Sequence, residues 1–170
     1  WTAPEPEILI WGDSYAMHLV SGILASNPSA KIVQMTKSAC GPFFGIAPIS
    51  NKYSVSWTKE CVKFNESVRS FLRSENSVKY IVISSQFLLY LGDNSRISID
   101  GKEHQADFGL ILNQFLATLD ELSTLGFQPI VFSPPPNQDW DIGHCLFKAS
   151  YLANSLDVCN FSNDHAPGPK

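Results

Sequence analysis

The sequence predicts an α/β fold, a doubly wound parallel sheet with helices on both faces. Short apolar runs alternate along the chain with longer stretches whose apolar residues recur every three or four positions. This is the pattern of strands followed by amphipathic helices, joined by right-handed crossovers. The run 80–84 is apolar without alternation, as expected of a strand covered on both faces.

The first half of the chain supplies two strands and one helix before a long loop. A short buried strand is predicted over 8–11 and a second strand over 31–36. Between them a helix is predicted over 15–27, because Ala16, Leu19, Val20, Ile23 and Leu24 share one face and Pro28 stops it. The following segment is predicted to be a loop, since it contains Gly41, Pro42, Gly45 and Pro48.

The second half repeats the alternation. Helices are predicted over 59–74, 106–125 and 145–156, the second of them capped by Gly126. Strands are predicted over 80–84 and 129–133, and the proline run 134–136 ends the latter. Residues 96–105, around Asp100-Gly101, are predicted to form a small exposed hairpin. We expect residues 1–7 to be a linker, 8–160 the domain and 161–170 a flexible tail.

Composition and charge exclude several functions. The 170 residues carry a net charge of −4 with dispersed acidic and basic residues, so nothing indicates nucleic acid or anionic lipid as a partner. No apolar run approaches the roughly 18 residues that a membrane span needs. No Cys-x-x-Cys occurs, and we predict neither a metal nor a cofactor.

Four cysteines permit three disulfide connectivities. We expect Cys40–Cys61 with Cys145–Cys159, because each pair closes a loop-rich stretch. Such bonds need an oxidising compartment, either the periplasm or the cell exterior. The alternative is four buried, reduced cysteines in a cytosolic protein.

The tetrapeptide Gly12-Asp13-Ser14-Tyr15 joins the first predicted strand to the first helix. A serine there lies at the carboxyl edge of the sheet, where ligands of doubly wound folds bind and the amides of a helix N-terminus can stabilise negative charge. Ser14 is therefore a candidate nucleophile. The alternative is an ordinary strand-to-helix turn with an aspartate or serine N-cap.

Residues 8–19 (Ile-Leu-Ile-Trp-Gly-Asp-Ser-Tyr-Ala-Met-His-Leu) resemble the first block of the SGNH, or GDSL, hydrolase superfamily. More narrowly, the chain resembles the domain fused to acyltransferase-3 membrane proteins, which O-acetylate bacterial surface polysaccharides such as lipopolysaccharide O-antigen. Three further segments are similar to that subgroup: the loop 38–42 (Ser-Ala-Cys-Gly-Pro), the segment 81–87 where ordinary members carry Gly-x-Asn-Asp, and the prolines 134–136 leading to Cys145.

The resemblance implies a flavodoxin-like SGNH fold and a set of site residues. Ser14 would be the nucleophile, and its amide and that of Gly41 would donate to the oxyanion. Gln86 stands near the position of the family's asparagine, where its side chain would assist the oxyanion or contact a sugar. The alternative is that Gln86 is a polar strand end bonded to a neighbouring loop.

The departure from the family concerns the general base. SGNH enzymes carry Asp-x-x-His near the end of the domain, whereas here Asp141 and His144 fit those letters but precede the second cysteine pair. We consider that pair a weak candidate and expect that the chain stops before the last motif; the alternative is a relative that has lost its base. His18 lies one helical turn from Ser14 and could reach it, although a histidine at such a position more often packs or caps. We expect His104, in the hairpin, to be a surface residue. Asp164 and His165 are adjacent, so their side chains do not project side by side.

The resemblance implies an extracytoplasmic, periplasmic domain of an inner-membrane protein that transfers acetyl to a sugar hydroxyl through an acyl-serine. Its partners would be a polysaccharide acceptor and an integral-membrane acyltransferase domain that supplies the acetyl group. The alternatives are a carbohydrate acetyl esterase and a glycan-binding module without chemistry. The last would present exposed aromatic side chains, for which the candidates are Trp11, Trp57, Phe87, Tyr90 and Trp140.

Overall fold

A four-stranded parallel sheet organises the first part of the chain, with its strands in the order Ile32–Thr36, Ile8–Gly12, Tyr80–Ser84 and Gln128–Phe132. The structure, a computed structural model, describes residues 1–50, 52–91, 95–134 and 141–160. The chain divides into two compact units, Trp1–Pro134 and Pro135–Lys170. In chain order, the elements of the first unit are β1 (Ile8–Gly12), α1 (Ser14–Ser26), β2 (Ile32–Thr36), β3 (Ile46–Ile49), α2 (Val55–Arg73), β4 (Tyr80–Ser84), α3 (Leu88–Leu91), β5 (Arg96–Ile99), β6 (Lys102–Gln105), α4 (Phe108–Thr124) and β7 (Gln128–Phe132).

Helices cover both faces of the parallel sheet. On one face α1 packs over a cluster that includes Ile10, Ile32 and Val82. On the other face, strand residues such as Trp11 pack with Val68 of α2 and other helical side chains. The predicted α/β class with a parallel sheet and helices on both faces is therefore confirmed. Because successive strand residues point to opposite faces, the unbroken apolar run of β4 is explained by burial on both sides.

A second sheet, antiparallel and of three strands in the order β3-β5-β6, was not predicted as such. The expectation of a loop at β3 was wrong, although proline does occur there: Pro48 pairs with Ile97 on the edge strand of this sheet, a position that tolerates proline. The predicted hairpin is present as β5 and β6. It is exposed only in part, because β5 is the central strand and Ile97 is fully buried.

Several predicted boundaries move by a few residues. The second helix begins at Val55 rather than at residue 59, since the Ser54 hydroxyl caps it by accepting from the Trp57 amide. The four-residue α3 was not predicted. In the second unit, α5 (Ile142–Tyr151) starts earlier than expected and is followed by a 3₁₀ turn at Leu156–Cys159.

The segment 1–7, expected to be a linker, is hydrogen-bonded to the sheet. The Thr2 hydroxyl donates to the Ala30 carbonyl at 2.8 Å, and Thr2 N–H donates to the Ile32 carbonyl at 2.9 Å. The Ser77 hydroxyl donates to the Pro6 carbonyl at 2.8 Å. The expected tail, 161–170, lies outside the described residues. Within the described ranges, no helix combines the length and apolarity required to cross a membrane.

Both predicted disulfides are present. Cys40 is bonded to Cys61 within the first unit, and Cys145 is bonded to Cys159 within the second. The alternative of four reduced cysteines is therefore wrong for this structure. The first bond ties the loop after β2 to the second turn of α2, which fixes a segment at the carboxyl edge of the sheet.

Candidate active site

Ser14 is the first residue of α1 and follows β1 after a single intervening residue. Its side chain is partly exposed. The last residue of β1, Gly12, lies in register with Ser84 of β4 on one side and with Thr36 of β2 on the other. Ser14 therefore lies at the carboxyl edge of the parallel sheet, at the N-terminus of a helix, as the sequence predicted.

Gly12 makes the turn before the serine possible. Its φ of +146° lies in a region that side-chain-bearing residues rarely adopt. A Cβ atom at this position would lie 1.9 Å from the Ser84 carbonyl oxygen, far inside van der Waals contact. Only glycine allows β1 to run this close to β4 while the chain turns into α1.

Asp13 fixes the serine turn to the neighbouring strand end. Its Oδ1 accepts from the Tyr15 amide at 2.9 Å, which makes Asp13 the N-cap of α1. Its Oδ2 accepts from the Ser85 hydroxyl at 2.8 Å and from the Gln86 amide at 2.9 Å. Asp13 is only 1% exposed, so these three donors satisfy a buried carboxylate. The side chain thereby positions Ser14 and Gln86 relative to one another.

The loop that contains Gly41 is held by three restraints from α2. The Cys40–Cys61 disulfide links it to α2. From the same helix, the fully buried Asn65 donates through Nδ2 to the Gly41 and Phe43 carbonyls, each at 2.9 Å. Asn65 is itself oriented by the Trp11 indole, which donates to its Oδ1 at 3.0 Å. The loop is thus fixed independently of any ligand.

The Gly41 amide is occupied by a tyrosine. Gly41 N–H donates to the Tyr90 hydroxyl oxygen at 2.8 Å, and both groups are buried. Burial raises the pKa of Tyr90 above its ordinary range, against an opposing effect of the Gly41 hydrogen bond and with a smaller raising effect of the Asp13 carboxylate. Tyr90 is therefore neutral. By contrast, the Ser14 amide has no hydrogen-bond partner among the described residues.

Gln86 is fixed at the site through its backbone. Its amide donates to Asp13, whereas its side-chain amide makes no hydrogen bond to the described residues and is partly exposed. The alternative expectation, a side chain bonded to a neighbouring loop, is not what the described residues show. A role of Gln86 in the oxyanion hole or in sugar contact stays a prediction.

The candidate bases are exposed histidines. His18 lies on α1 and His104 on β6, both at the surface. In the second unit Asp141 caps α5, and its Oδ1 accepts from the backbone amide of His144 at 2.8 Å. This bond does not involve the imidazole, so it gives Asp141 the role of a cap. Asp164-His165 lies outside the described residues, and across the described ranges no cluster of three metal-ligating side chains occurs.

Two of the aromatic residues expected to stack on sugars are core residues. Trp11 and Tyr90 are both 0% exposed, so that expectation is wrong for them. Trp57 and Phe87 are partly buried. Trp140 lies outside the described residues.

Sequence reasoning did not find the roles of Asn65 and Tyr90. Asn65 begins a glycosylation-like triplet, Asn-Glu-Ser, but its burial inside the fold excludes it as a glycan acceptor. The signal that could have found it is a polar residue at a core-facing helical position, one turn after Cys61. For Tyr90 no local signal exists, because its partner lies 49 residues away.

A strand–Gly-Asp-Ser–helix turn at the carboxyl edge of a parallel sheet, whose serine amide has no hydrogen-bond partner among the described residues, suits an α/β module of the hydrolase or acyl-transfer type. The comparison with protein families specifies it further. The family model described as "SGNH domain (fused to AT3 domains)" matches residues 2–166, and the chain belongs to this family. Neither the search of curated proteins nor the search of solved structures finds a match.

Proposed function

We propose that this domain transfers an acetyl group to a sugar hydroxyl of a bacterial surface polysaccharide, through an acyl-enzyme on Ser14. The observation that supports this most is the position of Ser14, a partly exposed residue at a helix N-terminus whose amide has no hydrogen-bond partner among the described residues. The association of the family with acyltransferase-3 domains favours acyl transfer as the chemistry and a membrane acyltransferase as the source of the acyl group. The domain would then act on the periplasmic side of the inner membrane.

The reaction consists of two acyl transfers. Ser14 Oγ attacks the acyl carbonyl carbon of the donor, its proton passes to a general base, and the oxyanion accepts from the Ser14 amide. The bond from the acyl carbon to the donor then breaks, and the donor leaves with a proton. A sugar hydroxyl next attacks the acyl-serine, gives its proton to the same base, and departs as the acetyl ester. Ser14 recovers its proton, so the enzyme is unchanged.

The roles of two polar residues near Ser14, Asp13 and Gln86, follow from their bonds. Asp13 holds the turn and is not the base in this scheme, since both of its oxygens already accept hydrogen bonds. Gln86, fixed by Asp13, would present its side-chain amide to the oxyanion or to the acceptor sugar. Two candidates remain for the general base. One is His144, which the sequence pairs with Asp141, and the other is an Asp-x-x-His pair of the kind that the family carries.

The test is acetylation by the native gene product carrying Ser14→Ala. Acetyl content of the surface polysaccharide should fall to background, while the protein keeps its melting temperature. Ser21→Ala is the matched control, because Ser21 lies on the same helix and its hydroxyl donates only to a backbone carbonyl. Unchanged acetylation in Ser14→Ala would contradict the proposal and favour a glycan-positioning module. Ser14-dependent removal of acetyl groups from the already acetylated polysaccharide would indicate an acetyl esterase.

A further inference from the structure

The hydrogen bond between Gly41 and Tyr90 conflicts with the role that the resemblance implies for Gly41. An N–H group has one hydrogen and makes one good bond, and here it is directed to the Tyr90 hydroxyl oxygen at 2.8 Å. An oxyanion hole needs donors that are already free and aimed at the developing charge. In this conformation the Ser14 amide is open and the Gly41 amide is not.

The position of the Gly41 amide does not depend on Tyr90. The disulfide and the two Asn65 bonds hold the loop from the side of α2, whereas Tyr90 approaches from α3. If the Tyr90 hydroxyl withdraws, the Gly41 N–H stays in place and becomes a free donor. The contact between Tyr90 and Gly41 is close, since a Cβ on Gly41 would meet both Tyr90 Cε2 and its hydroxyl at 2.8 Å.

The surroundings of Tyr90 leave room for such a movement. Tyr90 belongs to a helix of only four residues, and its ring packs at 4.6 Å on Phe43. Phe43 also lines an apolar cavity of about 210 Å³ together with Phe87 and Phe115. A small shift of Phe43 into this cavity would give the Tyr90 ring space to move away from Gly41.

We propose that Tyr90 is a positioning residue that holds the Gly41 amide in an occupied, resting state, and that release of this hydrogen bond completes the oxyanion hole at Ser14. This inference rests on the proposed function, because it assumes an acyl-serine, and on the role of oxyanion donor that the resemblance implies for the Gly41 amide. The class of compound that would release the bond is an ester whose carbonyl oxygen gains negative charge beside Ser14.

The test is the kinetics of Tyr90→Phe in the native gene product, with 4-nitrophenyl acetate as the substrate. Loss of one hydroxyl leaves the ring in place and frees the Gly41 amide, so kcat should rise about five- to thirty-fold. KM should stay unchanged, because the oxyanion forms only after binding. The matched control is Tyr80→Phe, which removes a hydroxyl at the opposite end of β4 from Ser84 and should leave both constants as they are.

The outcomes separate this inference from the proposed function. A rise in kcat that Ser14→Ala abolishes supports it. If the kcat of Tyr90→Phe is unchanged or lower while turnover still depends on Ser14, the role of Tyr90 is overturned and the proposal of an acyl-serine is unaffected. Absence of Ser14-dependent turnover in both the wild type and Tyr90→Phe also overturns the inference. Polysaccharide acetylation by Ser14→Ala then decides the proposed function separately. Should Tyr90→Phe fail to fold, a fluorotyrosine at position 90, a weaker acceptor with the same shape, must raise kcat in the same direction.

Discussion

Asp13 Oδ2 accepts a hydrogen bond from the Ser85 hydroxyl at 2.8 Å, which joins two strand ends that are 72 residues apart in sequence. The same oxygen accepts from Gln86 N–H, and the other carboxylate oxygen caps α1. One buried side chain therefore couples the serine turn, the helix and the neighbouring strand. The geometry of the site depends on it more than on any other single residue outside the reacting groups.

Asp13→Ala should lower the free energy of unfolding by about 3 kcal/mol, because it removes an N-cap and leaves two buried donors unpaired. Asp107→Ala is the matched control. Asp107 also caps a helix, α4, but is exposed and accepts only from the Leu110 amide, so the cost should be about 1 kcal/mol. Urea unfolding of both variants measures the difference. Equal losses would mean that the bonds to Ser85 and Gln86 contribute nothing.

Gly12→Ala should destabilise the protein by at least about 3 kcal/mol, since the added methyl group collides with the Ser84 carbonyl and the backbone conformation is strained. Gly22→Ala provides the contrast. Gly22 lies exposed within α1 with nothing within 4 Å of its added Cβ, so alanine there should stabilise by about 0.5–1 kcal/mol. Thermal unfolding distinguishes them, and a stable Gly12→Ala protein would contradict the described turn.

Replacement of both Cys40 and Cys61 by alanine should cost about 3 kcal/mol, the value expected for a loop closed over a separation of 21 residues. The Gly41 loop keeps its two bonds to Asn65, so the fold should survive. Hydrogen exchange of the Gly41 amide should become faster, because one of three restraints on the loop is gone. An unchanged urea midpoint and unchanged exchange would show that the bond adds nothing.

The burial of Tyr90 predicts a loss of stability at high pH. Its pKa is raised in the folded protein, while an unfolded tyrosine titrates near about 10. The stability that the buried, neutral Tyr90 hydroxyl contributes is complete below the pKa of the unfolded state and is lost as the pH rises toward the folded pKa. Above about pH 10, the unfolding free energy of the wild type should fall up to about 1.4 kcal/mol per pH unit more steeply than that of Tyr90→Phe. Parallel curves would contradict the burial of this hydroxyl.

The 170-residue chain alone should hydrolyse 4-nitrophenyl acetate little or not at all. The histidines described in the first unit are exposed, and removal of a base from a serine nucleophile typically costs several orders of magnitude in rate. Strong Ser14-dependent turnover would contradict this expectation. His18→Ala and His144→Ala would then identify the base, because only the variant that lacks it should lose the activity.

The sequence was sufficient for features whose signal is local. The alternation of apolar periodicities predicted the parallel sheet, and Ser14 could be placed at its carboxyl edge because it follows a strand and starts a helix. The cysteine pairs were predictable for the same reason, since each closes a short loop. Residues close in sequence determine these features.

Features created by distant contacts could not be predicted. Strand β3 contains Pro48, and only its pairing with β5 makes it a strand. In the sequence, nothing distinguishes Tyr90 from other aromatic residues, because only the fold brings its hydroxyl to Gly41. The same is true of Asn65, whose amide meets two carbonyls of a loop more than twenty residues earlier.

The two disulfides do not cross the boundary between the two units. Cys40–Cys61 closes within Trp1–Pro134, and Cys145–Cys159 closes within Pro135–Lys170. A single proteolytic cut between Pro134 and Asp141 therefore yields two polypeptides that share no covalent bond, even without a reductant. Each fragment would retain its own cross-link, so the covalent integrity of either piece does not depend on the other.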